Sequence, residues 1–301
     1  MNMIIGQLMG LFVALCWAQN ALIFEYVGSR ISSRTSSHMR LWLALPLMLL
    51  FQLFTEGSLF PQNIPLPLIL VIGLSGVLGF FVADSLAMSS YVILGARETM
   101  VILTTSPLLS TIMAYLFLHQ GLSALQLVGM FITLSSVALV IYSDHTNGSK
   151  VTSHQFGKGV LYAFIGAIAQ ATAYVLVDVA LKQDVSPVEA NTIRLLFGLA
   201  AIVIYTMWRG TFRSDFSRLK GKEGFKYVRL IFLAALVGPV LGIVINLKAF
   251  TLAPVGIVTT FNQMTPVLLL PLERLFFKRR ASKGALVGTF GAVAGSVLLF
   301  L

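Results

Sequence analysis

The chain has 301 residues, 57% hydrophobic and 11% charged, with 25 glycines, a mean hydropathy of +0.90 and a formal net charge of +10. A soluble domain carries about 25% charged residues, so this chain has too few ionisable groups to cover a water-facing surface and reads as a membrane protein. Its lone cysteine, Cys16, excludes an internal disulfide or a cysteine-rich metal centre.

A hydrocarbon core about 30 Å thick is crossed by roughly 20 apolar residues in a helix. The first such stretch, 4–27, follows MNM without the basic region of a cleavable leader and continues past Ala21, so it reads as a retained span. Further stretches follow at 36–54, 66–90, 97–118 and 123–143, then at 157–182, 188–208, 228–250, 256–277 and 281–301. All are expected to be helices: a transmembrane strand needs only about 10 residues of alternating pattern, and helical bonding satisfies the backbone of long apolar runs in lipid. The predicted fold is therefore an all-α polytopic membrane protein of ten transmembrane helices. Residues 144–156, polar through DHTNGSKVTSHQ, read as a linker between a first unit, 1–143, and a second, 157–301.

The two units look alike. Gly6, Ala18 and Gln19 map about 151 residues on to Gly157, Ala169 and Gln170, Arg40 maps to Arg194, and Pro107 and Gly129 map to Pro266 and Gly288. GVLG at 76–79 resembles PVLG at 239–242. Five helices per unit is an odd number, so the second unit enters the membrane from the opposite side, and the repeats are inverted. Inverted repeats are a transporter architecture, with the binding site near the midplane between the units.

Of the 21 lysines and arginines, about 18 lie in or beside the odd-numbered connections, notably from Arg209 to Arg229 and from Arg274 to Lys283. The positive-inside rule makes those connections cytoplasmic and puts both termini on the outer side of an inner or plasma membrane. The same loops account for the basic charge by facing an anionic lipid leaflet, so no nucleic-acid partner is implied.

Polar side chains inside spans are costly in hydrocarbon and mark cavities or partners. Gln170, Tyr174 and Asp178 recur every four residues and share a face of the sixth span. Gln19, Asn20 and Glu25 form the counterpart on the first, while Thr259, Asn262, Gln263 and Pro266 share a face of the ninth. Thr104 and Thr105 precede Pro107 in the fourth, and Thr104 occupies the repeat position of Gln263. Gln19, Asn20, Thr104, Thr105, Gln170, Tyr174, Asn246, Asn262 and Gln263 are the candidate solute-binding residues. Asp84, Asp178, Lys248 and Arg194 are candidates for charge recognition or proton coupling, the open alternatives being that Asp84 pairs with Lys248 or takes up and releases a proton as water access alternates. Arg40 reads as snorkelling to a headgroup, and Glu273 and Arg274 read as interfacial. The bland alternative for every such group is a hydrogen bond between packed helices.

Catalytic signals are weak. Gly73 to Gly76 spell GLSG, the short serine motif of rhomboid-type intramembrane proteases, but all four histidines lie at span ends or in loops, away from the base position such chemistry needs. No GxxxxGK[ST] is present to hold ATP phosphates. No metal site or cofactor is expected, the partners are a small solute, the bilayer and protons as a coupling ion, and a non-transporting sensor or scaffold is the alternative use of the same cavity.

The motifs ALCWAQNALIF followed by Arg40, AMSSYVILGARETMVILTTSPLLSTIMAYLFL and KAFTLAPVGIVTTFNQMTPVLLLPLERLFF resemble the EamA-type transporters of the drug/metabolite transporter superfamily, and each half closes in a similar glycine-bearing span. The resemblance runs along essentially the whole chain. It implies a ten-helix exporter or exchanger of small metabolites, often amino acids or drugs, working by alternating access. Two departures stand out. Where the family often has Gly-Glu after the proline-bearing helix, this chain has His119 and Gln120 in one half and Lys278 and Arg279 in the other; and the second connection, TEGSLFPQNIPLP, lacks Lys and Arg.

Overall fold

The computed structural model describes residues 2–106, 108–109, 112, 123–146, 152–217, 219–252, 258, 261–279 and 281–298. Among them there is no strand. The helices are α1 (Asn2–Ile31), α2 (Ser33–Glu56), α3 (Leu66–Ile93), α4 (Ala96–Leu103), α5 (Ala124–Thr146), α6 (Ser153–Leu181), α7 (Pro187–Trp208), the short α8 (Phe212–Ser217), α9 (Gly221–Ala235 continuing through 236–252), α10 (Thr265–Phe276) and α11 (Lys283–Leu298).

Among the described residues, seven helices are long and apolar enough to cross a bilayer: α1, α2, α3, α5, α6, α7 and α9; α11 is a shorter apolar helix. The fourth and ninth expected spans are described only as α4 and α10, and Pro107, Pro254 and Thr259 lie outside the described residues. Exposed Phe54, Phe131, Trp208 and Leu275 give the exterior the apolar character of a lipid-facing surface. The protein is a multi-pass membrane protein.

Local chemistry sets the helix ends. Ser32, with φ at +104°, is the sole residue between α1 and α2, and its hydroxyl accepts the Thr35 N–H at 3.2 Å as an N-cap. Ser186 caps α7, with Pro187 in the first turn where its missing N–H costs nothing. The expected linker is shorter than its polar composition implies, because α5 runs on to Thr146 and α6 starts at Ser153.

Two spans contain a π-helical segment of seven residues, Val77–Ala83 in α3 and Leu236–Gly242 in α9. They stand 159 residues apart, the same separation as Pro107 to Pro266 and Gly129 to Gly288. The backbone thus pairs Gly79 with Gly238, whereas aligning GVLG with PVLG pairs Gly79 with Gly242. Each π-bearing helix lies against the opposite half: α3 packs on α6 and α7, and α9 packs on α1 and α2.

Small residues let these helices close up. A Cβ on Gly129 of α5 would stand 2.7 Å from the Gly295 carbonyl oxygen of α11, and one on Gly288 would stand 2.8 Å from that of Ser136. On the other flank, a Cβ on Gly76 would collide with the Arg194 backbone, so α3 and α7 touch main chain to main chain.

Candidate functional site

Arg40 sits two turns into α2 and Arg194 two turns into α7, equivalent positions in the two halves. Both are buried, at 4% and 5% exposure. Between them lies the π segment of α3, whose i→i+5 bonding widens the helix, a distortion that recurs at functional sites. Phe80 belongs to this segment, and Asp84 follows it. The Arg40 guanidinium lies 5.9 Å from the Phe80 ring and 5.5 Å from Phe24, and the Arg194 guanidinium lies 5.0 Å from Phe80. One aromatic ring therefore serves two cations.

Arg40 forms an ion pair with Asp84. This corrects two expectations: Arg40 does not snorkel to a headgroup, and Asp84 is held by Arg40 rather than Lys248, whose side chain is exposed. The pairing arises because Arg40 and Asp84 face each other across α2 and α3, a register that residue spacing within either helix does not reveal.

Gln170 and Tyr174 do share one face of α6, with Gln170 within hydrogen-bonding reach of the tyrosine, and Arg194 and Asp84 lie within electrostatic range of it. Tyr174 keeps 48% of its surface accessible, and 26% of the Asp84 side chain is also accessible. Tyr174 and Asp84 thus keep accessible surface beside a buried arginine. The Asp178 side chain lies outside the described residues.

A second polar locus lies where α1 meets α9 and α10. Asn262 donates to Asn246 at 2.7 Å, and the Thr265 hydroxyl reaches the Ala14 carbonyl at 3.4 Å. Asn20 donates to the Cys16 carbonyl at 2.9 Å, its own Oδ1 has no partner among the described residues, and it packs against Gly238 so closely that a Cβ there would come within 2.7 Å. Gln19 and Gln263 are half-buried. The structure does not bring the fourth-span hydroxyls into this set: Thr104 and Thr105 are buried and turn back to the Val101 and Ile102 carbonyls at 2.6 and 2.7 Å.

Sequence reasoning missed Asn191 and Gln52. Asn191 donates to the Pro239 carbonyl at 2.9 Å, satisfying a backbone group in the proline-broken π segment. Gln52 is fully buried, and neither amide atom has a partner among the described residues. Both were legible as amides within apolar runs, the signal used for Gln170.

Ion pairs close the molecule at the basic ends of the helices. Glu25, near the end of α1, accepts the Ala96 N–H at 2.8 Å and pairs with Arg279. Arg97 pairs with Glu98 and, at 3.2 Å, with Glu273 of α10. Glu273 is thus a buried partner rather than an interfacial residue. Nearby, the buried Asp215 of α8 accepts from Arg34 at 3.1 Å and from Thr35 at 2.9 Å, and it faces His38 Nδ1 at 3.3 Å. Trp42 donates to His38 Nε2 at 3.1 Å. An indole N–H can only donate, so Nε2 is an acceptor and the imidazole proton sits on Nδ1, toward Asp215. No group of three or more His, Cys, Asp or Glu side chains among the described residues is placed to hold a metal. The groove between α5 and α6, walled by Ile141, Tyr142, Phe156 and Val160, is apolar and suits lipid rather than a polar solute.

Comparison with known proteins decides what kind of molecule surrounds this site. The EamA-like transporter family model matches residues 4–142 and 157–301. The chain belongs to the EamA-like transporter family. It is similar to the "Uncharacterized transporter YyaM" of Bacillus subtilis (strain 168), with 24% identity over 187 residues, 61% of this chain and 59% of that relative. It also overlays a solved crystal structure with a TM-score of 0.62 at 16% identity, covering 97% of this chain and 95% of that one, a likeness of fold alone. The family sets the chain among EamA-like membrane transporters, and the chain spans 59% of the length of the Bacillus relative.

Proposed function

We propose that this EamA-like protein is a secondary transporter that exports a small polar or amphipathic metabolite, an amino acid or drug-like solute, across the inner or plasma membrane by alternating access. Ten spans form two inverted five-helix units, 1–143 and 157–301, with both termini on the outer side. The two family-matched stretches and the π segments 159 residues apart support this arrangement.

The observation that carries the reading is the accessibility of Tyr174 and Asp84 beside buried Arg194 and Arg40, a wettable space walled by helices of both units. A solute entering it exchanges its hydration for the fixed groups of Gln170, Tyr174 and Asp84, while Gln19, Asn20, Asn246, Asn262 and Gln263 extend the polar path along α1, α9 and α10. Asp84, and Asp178 on the tyrosine-bearing helix, are the groups through which a proton would couple to movement. Thr104 and Thr105 act as structural hydroxyls, since their donors are spent within α4 and the turn that follows it.

The test begins with metabolite profiles of medium and cells with and without the overexpressed protein, followed by flux of the leading solute in reconstituted vesicles. Gln170→Leu and Asn262→Leu are expected to abolish flux without preventing membrane insertion. Saturable binding without flux in wild-type vesicles would establish a sensor instead. Normal flux by both variants would remove the proposed pocket.

A further inference from the structure

The two halves treat their equivalent arginines differently. In the first, the residue after the π segment is Asp84, and it neutralises Arg40. In the second, the residue after the π segment is Ile243. Arg194 is 5% exposed, and among the described residues it has neither an ion pair nor a hydrogen bond; its Nε is buried without a partner. The Phe80 ring at 5.0 Å, the nearby Tyr174 and the longer-range attraction of Asp84, itself paired with Arg40, only soften that isolation. A buried cation is ordinarily retained only where a counter-charge meets it for part of the time.

A polar neighbour is held close to the guanidinium. A Cβ on Gly79 would stand 2.9 Å from Arg194 Nη2 and 3.8 Å from Gln170 Oε1, so the bare glycine keeps guanidinium and amide side by side. A guanidinium presents a planar fork of donors that matches the paired oxygens of a carboxylate or phosphate. Resting on the transport reading above, we propose that the solute carries an oxyanion, carboxylate or phosphate, and that Arg194 is the residue that binds it, with Gln170 and Tyr174 completing the cradle. The solute supplies the negative charge that Asp84 supplies in the other half.

Cys16, the single cysteine and 3% exposed, makes binding measurable apart from transport, because a thiol-reactive dye labels it only as the purified protein unfolds on heating. The probes are small monocarboxylates, dicarboxylates, inorganic phosphate and phosphate monoesters, each organic acid beside its uncharged amide or alcohol. At least one oxyanion is expected to raise the midpoint of the wild type while its neutral counterpart does not, and the carboxylate and phosphate arms identify which group is recognised. Arg194→Gln should abolish the shift, and Arg194→Lys should retain part of it. Because Arg194→Gln could fold poorly, Gln170→Glu provides the second arm: nearly isosteric, it sets a carboxylate beside the guanidinium and should weaken oxyanion binding by tenfold or more with the arginine in place. A panel in which no oxyanion shifts the midpoint, or a shift that survives both substitutions, overturns the proposal. Flux in vesicles separates the two readings: transport of only neutral or cationic solutes sinks the oxyanion while leaving transport intact, whereas an Arg194-dependent shift without flux of any probe sinks transport while leaving the oxyanion site.

Discussion

Arg97 and Arg194 are both nearly inaccessible arginines, yet their surroundings are opposite. Arg97 lies between Glu98 and Glu273, within a cluster that also ties Glu25 to Arg279 and so joins α1 and α4 of the first unit to α10 of the second. Arg194 has an aromatic ring and, among the described residues, no ion-paired carboxylate; Asp84 acts on it only from longer range and is already paired with Arg40. A cation–π contact stabilises a desolvated cation by about 2 kcal/mol, against a burial penalty of several kcal/mol per ion. The difference separates two uses of buried charge: matched charges tie helices together, and the unmatched one is the group proposed to meet the solute.

That contrast can be broken at the clasp first. Glu273→Gln should destabilise the protein by about 3–5 kcal/mol, the typical cost of removing one partner from a buried pair, seen as a lower midpoint of Cys16 labelling. The triple variant Arg97→Met, Glu98→Gln and Glu273→Leu should recover most of the loss, since it removes both carboxylates that Arg97 pairs with and leaves no stranded charge; a triple variant as unstable as the single would show that the Glu273 carboxylate serves something other than Arg97. Arg194→Met should behave oppositely in the absence of solute, leaving the midpoint unchanged or raised, because it removes a buried charge without orphaning a partner.

The Asp215 network should respond less. Asp215→Asn keeps an acceptor for Thr35 but loses the charge facing Arg34 and His38, with an expected cost of about 2 kcal/mol from charge-assisted hydrogen bonds; chemical denaturation against wild type measures it. At the α5–α11 seam, Gly295→Ala inserts a methyl within 2.8 Å of the Gly129 carbonyl oxygen and should cost about 1–3 kcal/mol as overpacking, while leaving solute binding at Arg194 unchanged. Smallest of all, Thr104→Val removes a hydroxyl bonded to its own helix and should change stability by less than about 1 kcal/mol. Its flux should match wild type; a large loss would return that hydroxyl to the solute path.

Much of the candidate site was legible from residue types alone. Gln170, Tyr174, Asp84 and Arg194 are visible because each is expensive in hydrocarbon, and the four-residue spacing correctly puts Gln170 and Tyr174 on one helix face. What spacing could not supply was partners. Asp84 meets Arg40, 44 residues away, Glu273 meets Arg97 across the two units, and Asp215 meets three residues at the start of α2. The π segments were equally hidden, since glycine-rich apolar runs read the same in α and π bonding, and they moved the repeat alignment by four residues.

Composition and the length of the apolar runs determined by themselves that this chain is helical and lives in a bilayer, because hydrocarbon leaves the backbone few other ways to satisfy its hydrogen bonds. The motifs carried the family. Which buried charges cancel and which one stays open was decided only by tertiary packing: a side chain's energy in a low-dielectric interior depends on what faces it across a helix interface, and that neighbour is set by close approach at Gly76, Gly79 and Gly238 rather than by anything nearby along the chain.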